Sequence, residues 1–221
     1  MEERKSSMES EKKWIVELGF EPIVSSVPLL VDITFFISAI KAYYKGANAR
    51  AKRNEIQRIL AAADWYVHYT DKRTGRRVLS ESILIEHEHE RRTAIGLAQM
   101  NYDVVFAPAG IFQRGGKKFD IYLLKDTIIL EADLKCISSK NPLTIAYRIK
   151  EGSEQASRVV LDIASDIDRN TLIQGLRSGS YRNTLLSEIL LVYKKKFYRL
   201  PKSLIMSKRI FDILKSEKGY T

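Results

Sequence analysis

Eleven residues near the middle of the chain, Thr127 to Ile137 (TIILEADLKCI), alternate in character. Ile128, Leu130, Ala132, Leu134 and Cys136 fall on one parity, while Glu131, Asp133 and Lys135 fall on the other. Side chains along a strand point to opposite faces in turn, so the stretch predicts a strand with three ionisable groups on one face. A half-exposed strand alternates too, usually with Thr or Ser among its charges, so a solvated surface and a chemical site both remain open at this point.

The flanking sequence builds a sheet around that strand. Lys117 to Leu124 predicts a second strand, joined to the first by a tight turn at Lys125-Asp126. Upstream, Ser80 or Ser82 is placed to cap a helix reaching about Met100, with Ile83, Ala94, Leu97 and Ala98 among its apolar positions, and Asp103 to Ala107 reads as a short strand. Downstream, Pro142 opens a helix to about Ser157. Arg158 to Ile163 reads as a buried strand, Asp168 to Arg177 as a helix and Glu188 to Tyr193 as a further strand. The order is α-β-β-β-α-β with additions, an α/β class. Its sheet must be mixed, because a helical crossover returns the next strand parallel to a neighbour.

Residues 1–79 read as a separate helical region ahead of a domain at 80–221. Leu29, Ile33, Phe36, Ile37 and Ile40 recur at helical spacing after Pro28, and Ala47 to Ala63 continues as a basic amphipathic helix with Arg50, Lys52, Arg53 and Arg58. Asp64 to Thr70 is rich in strand formers and ends at a turn, Asp71 to Gly75, as a small hairpin or a bridge to the second region. Ile23 to Tyr44 is the best membrane candidate, but Pro28, Asp32 and Lys41 interrupt it. A spanning helix needs roughly 20 apolar residues, so the segment reads as a buried or conditionally exposed amphipathic helix. The N-terminus lacks an apolar run after its basic residues and is not a signal peptide.

Net charge is +10, carried as +4 over residues 1–80, −1 over 81–192 and +7 over 193–221. Basic ends around a neutral centre suit a polyanionic partner, and equally suit mere solubility. The C-terminal run Tyr193-Lys194-Lys195-Lys196-Phe197-Tyr198-Arg199 interleaves cations with aromatics, as a strand-binding surface or a lysine-protected edge strand would. Cys136 is the only cysteine, which excludes an internal disulfide and a stapled secreted domain.

The hairpin gives the ionisable face its chemistry. Asp120 lies on the strand beside Asp133, so two carboxylates can share a divalent cation, Mg²⁺ first and Mn²⁺ as the alternative. Lys135, two residues past Asp133, projects from the same face and can offset charge on a phosphate or orient a water. The competing reading is an Asp–Lys salt bridge, worth at most about 1 kcal/mol if exposed.

An acid, a spacer and then acid-x-Lys on the next strand resembles the PD-(D/E)xK nuclease superfamily. Here those positions are Asp120 and Asp133-Leu134-Lys135, and Phe119 stands where the signature has proline. The resemblance implies a restriction-endonuclease-like mixed-sheet core with Asp120, Asp133, Lys135 and Glu90 as catalytic residues. It implies Asp120, Asp133 and the first-helix Glu90 as metal ligands, with Glu86 as the alternative acid. It also implies a substrate contact at Gln155, with Lys150 and Arg158 near it after the motif. Each of these also reads as a solvated helix residue.

The segment from Gly115 to Ile163, with KKFDIYLL, EADLKCISSKNP and EQASRVVLDI, further resembles the tRNA-cleaving C-terminal toxin domains of bacterial contact-dependent growth inhibition and other polymorphic toxin systems. That resemblance implies a nuclease toxin neutralised by a cognate immunity protein. It would be secreted as part of a larger protein and act on tRNA in the target-cell cytoplasm. The N-terminal helical region would assist passage through transient membrane contact. A DNA endonuclease of the same fold and a non-catalytic nucleic-acid-binding module, both cytoplasmic, are the alternatives.

Other motifs carry less. His87 and His89 are two apart rather than four, which on a helix places them on different sides and disfavours zinc. Cys136 has no nearby His to activate it. Gly115-Gly116-Lys117-Lys118 is not a P-loop, though Lys118 is placed to touch a substrate backbone.

Overall fold

The computed structural model describes residues 33–43, 47–82, 85, 87–108, 118–126 and 128–215. The expected signal-peptide-free start, Leu29, Glu86, half of the membrane candidate and the glycine loop before Lys118 lie outside them. Among the described residues no helix is long and apolar enough to cross a membrane.

The protein is mixed α/β and divides into two compact units. One comprises described residues 33–134 together with Glu154–Ala156. It begins with helices α1 (Thr34–Tyr43) and α2 (Ala47–Ala62). The hairpin β1 (Tyr66–Thr70) and β2 (Arg77–Ser80) follows, then helix α3 (Glu88–Gln99), β3 (Asp103–Phe106), β4 (Ile121–Lys125) and the start of β5 (Ile128–Ile137). β1 and β2 are antiparallel, β2 and β3 parallel across the α3 crossover, and β3–β4 and β4–β5 antiparallel.

The helix expected from Ser80 or Ser82 starts only at Glu88, with His87 at its N-cap. Ser80 instead closes β2, where the fully buried Val78 and Leu79 pair with Val104 and Val105 and favour the strand. The Ser80 hydroxyl donates to the Ser82 carbonyl instead of capping. Asp71 organises the β1–β2 turn, its carboxylate accepting from the Thr74 amide and hydroxyl at 2.7 Å each.

The grouping does not coincide with a division after residue 79. Phe36, Ile56 and Leu60 share one core with Leu79, Val105, Tyr122 and Ile129, because helices with one apolar stripe need a sheet face to bury it. Phe36 meets the Tyr122 ring edge-on at 5.3 Å, and the Trp65 indole donates to the Leu60 carbonyl where α2 ends.

The other unit comprises described residues 135–153 and 157–215. It contains most of helix α4 (Pro142–Gln155), then β6 (Arg158–Ile163), α5 (Arg169–Ser180), β7 (Glu188–Tyr193), β8 (Lys196–Pro201) and the short helices α6 (Lys202–Ile205) and α7 (Ile210–Lys215). β6 and β7 are parallel across α5, and β7 and β8 form an antiparallel hairpin. α4 and α5 pack closely at two glycines, since a Cβ at Gly175 or Gly179 would fall 2.7 or 2.8 Å from the Cβ of Ile145 or Ile149. α4 ends at Gln155, short of the expected Ser157, because Arg158 and Val159 enter the β6–β7 ladder.

Candidate active site

β4 and β5 pair with Ile121 opposite Ala132 and Tyr122 opposite Glu131. Asp120 immediately precedes the paired residues of β4, and Asp133 immediately follows Ala132 in β5. Two hydrogen bonds fix this end of the ladder. The Asp120 amide donates to the Ala132 carbonyl at 3.3 Å, and the Asp120 carboxylate accepts the Leu134 amide at 2.7 Å. The Asp120 carboxylate thus reaches the backbone of the residue after Asp133.

The face of β5 that carries Asp133 is covered. Ile129 and Tyr122, of the same parity as Asp133 and Asp120, lie in the core with Phe36 and Leu60. Asp133 is fully enclosed, whereas Asp120 is half-buried. Lys135 follows two residues on in β5, so backbone alternation gives it the parity of Asp133, and it is half-buried.

Gln155, at the end of α4, completes the group. With its side-chain amide turned so that the nitrogen rather than the oxygen faces these acceptors, it donates to Asp133 Oδ1 at 3.0 Å and to the Lys118 carbonyl. The residue expected to contact substrate thus grips a carboxylate and the backbone ahead of Asp120, which makes it a positioning residue in this structure. Lys118 enters through its carbonyl, and its side chain is half-buried.

The remaining candidates are placed elsewhere. Glu90 is in the first turn of α3 and half-buried. Among the described residues no three His, Cys, Asp or Glu side chains gather as a metal cage. Lys150 is exposed on α4. Arg158 opens β6 rather than lying on the helix, and its guanidinium binds the buried Glu188 carboxylate at 2.6 Å, with Arg199 on the other oxygen at 2.7 Å. That pairing gives Arg158 a structural partner across the β6–β7 register. His87 and His89 do not diverge as helix spacing predicts. His87 is extended at the N-cap, and the two rings stack at 5.6 Å. Cys136 is half-buried.

Three titrating groups of this unit are shifted, among them Tyr69, whose phenol burial raises. Burial pushes His68 below its usual value; the Ser82 carbonyl opposes this and the Arg91 charge reinforces it. Burial alone would raise Asp71, but hydrogen bonds from Thr74 and Tyr69 outweigh it and hold the carboxyl below the usual range.

A carboxylate pair with one oxygen of each bonded to an N–H suits an oxygen-preferring divalent cation, which keeps several waters and needs few protein ligands. No family model matches the chain, and neither a curated protein nor a solved structure matches it.

Proposed function

We propose that the chain is a metal-dependent phosphodiesterase acting on nucleic acid, with tRNA as its substrate and a cognate immunity protein as its inhibitor, in the manner of PD-(D/E)xK toxin nucleases. The observation that supports the reading is the Asp120 carboxylate accepting from the amide of Leu134, the residue after Asp133 on the neighbouring strand. Asp120 and Asp133 would hold the cation, with Glu90 as a further ligand through water, and the metal would supply Lewis-acid stabilisation of phosphoryl charge.

The chain's own residues divide the remaining work. Gln155 holds the Asp133 carboxylate in orientation through its 3.0 Å bond. Asp120, the more exposed acid, faces the incoming phosphodiester. The Lys135 ammonium offsets negative charge on the phosphate as a water oxygen adds to phosphorus and an ester oxygen leaves. The enclosing apolar residues lower the local dielectric, which strengthens each of these interactions.

Incubation of the purified chain with total RNA and with plasmid, each with Mg²⁺, tests the assignment. Cleaved RNA and intact plasmid are expected, with cleavage lost in Asp120→Ala/Asp133→Ala. Undiminished cleavage by that double variant defeats the hydrolase reading, and cut plasmid with intact RNA redirects it to DNA.

A further inference from the structure

The unit built on β6–β8 contains a cavity of about 400 Å³ that the proposed chemistry does not use. Arg169, Lys194, Lys196 and Lys215 line it, against a single carboxylate, Asp168. That carboxylate already caps α5, accepting from the Asn170 amide at 2.9 Å, the Thr171 amide at 3.0 Å and the Thr171 hydroxyl. Tyr193 and Tyr198 form part of the wall, both buried, and the Tyr193 hydroxyl donates to the Ile167 carbonyl at 2.8 Å. Burial, then the neighbouring Tyr193, raises the Tyr198 phenol, which keeps it neutral beside an anion.

A second observation concerns the β7–β8 turn. Lys194 and Lys195 occupy its two central positions with φ of 50° and 59°. Such a turn favours Asn and Gly, because a Cβ clashes in the left-handed region. Two adjacent lysines there accept a steric cost that Asn-Gly would avoid. Of the two, Lys194 lines the cavity, and strain of this kind persists at sites where a side chain serves a ligand.

We propose that this cavity is a phosphate-binding subsite that takes phosphodiester groups of an unpaired RNA strand, an inference that rests on the nuclease reading above. Lysines supply point charges and Arg169 a planar fork for phosphate oxygens. Ligand pockets span roughly 300–1,000 Å³, so the cavity admits a nucleotide-sized group, while a rigid duplex cannot enter a concavity of this size. The subsite gives the Tyr193–Arg199 segment a physical role: its lysines grip backbone, and its buried tyrosines shape the wall rather than stack on bases.

The test is fluorescence anisotropy of the full chain with a labelled single-stranded 12-nucleotide RNA in EDTA. Lys194→Gln/Lys196→Gln is expected to weaken binding at least tenfold. Each lost phosphate contact on a single strand should lower the salt-dependence slope by about 0.7. Arg169→Gln/Lys215→Gln, on different elements of the same cavity, should do likewise. The charge-matched control Lys140→Gln/Lys208→Gln, at exposed positions outside the cavity, should lose less than threefold. Equal losses in the cavity pairs and the control, or no RNA binding by the unsubstituted chain, overturn the subsite. A chain that cuts RNA while its cavity pairs bind like the control overturns the subsite alone. A chain that binds through these pairs but never cuts supports the subsite and removes the hydrolase.

Discussion

Replacing Asp133 with Asn removes one charge from the β4–β5 pair while keeping an oxygen that can accept from Gln155. Two carboxylates close enough to share a cation, about 5 Å apart, repel by about 3 kcal/mol at an effective dielectric near 20. In EDTA, Asp133→Asn should therefore unfold at a higher temperature, by about 3 °C for each kcal/mol relieved in a chain of this size. Magnesium should reverse the order. At one hundred times its dissociation constant a ligand stabilises the folded state by about 2.7 kcal/mol, and the variant has lost half of the carboxylate pair that would bind it. Cleavage should fall by about a thousandfold, the equivalent of 4 kcal/mol of transition-state stabilisation. Differential scanning fluorimetry in EDTA and in Mg²⁺, beside a gel-based RNA assay, reads all three quantities. A variant that melts lower than the unsubstituted chain in EDTA, with magnesium shifting both alike, would mean that Asp133 is a structural carboxylate, and the reasoning fails.

Arg158→Ala should act on stability rather than on RNA affinity, because Glu188 is only 4% exposed and would lose a 2.6 Å partner; denaturant unfolding should show a loss of about 3 kcal/mol. Lys194→Asn/Lys195→Gly should raise the melting temperature by relieving two left-handed residues at about 1 kcal/mol each, while weakening RNA binding, an opposition readable in one preparation. Gly179→Ala should cost about 1–3 kcal/mol in chemical denaturation through overpacking against Ile149. His68, with its folded pKa below the unfolded value of about 6.5, favours the folded state while neutral. Its contribution is present above that value and lost as pH falls through the lowered folded pKa. Melting curves from pH 8 to pH 5 should converge with those of His68→Gln at the acidic end.

The alternation of Thr127 to Ile137, the turn after Lys125 and the buried run Glu188 to Tyr193 were legible because they are local: a strand's period and a two-residue connection depend on near neighbours alone. Those same features set the β4–β5 register from Ile121 opposite Ala132 to Lys125 opposite Ile128, since hairpin register follows from the turn. What lay beyond the sequence depends on contacts between distant segments. Ser80 stays in a strand because β2 finds β3, although its neighbours can start a helix. Phe36 and Leu60 cover the face carrying Asp133, which local pattern cannot separate from a solvated one. Gln155 reaches Asp133 across 22 positions and Arg158 is claimed by Glu188, so one residue joins the acids and the other leaves the substrate. Sequence alone determined which side chains share a strand face. Tertiary structure decided which faces are covered and which charges are already partnered, because burial and pairing energies arise only when remote parts of the chain meet.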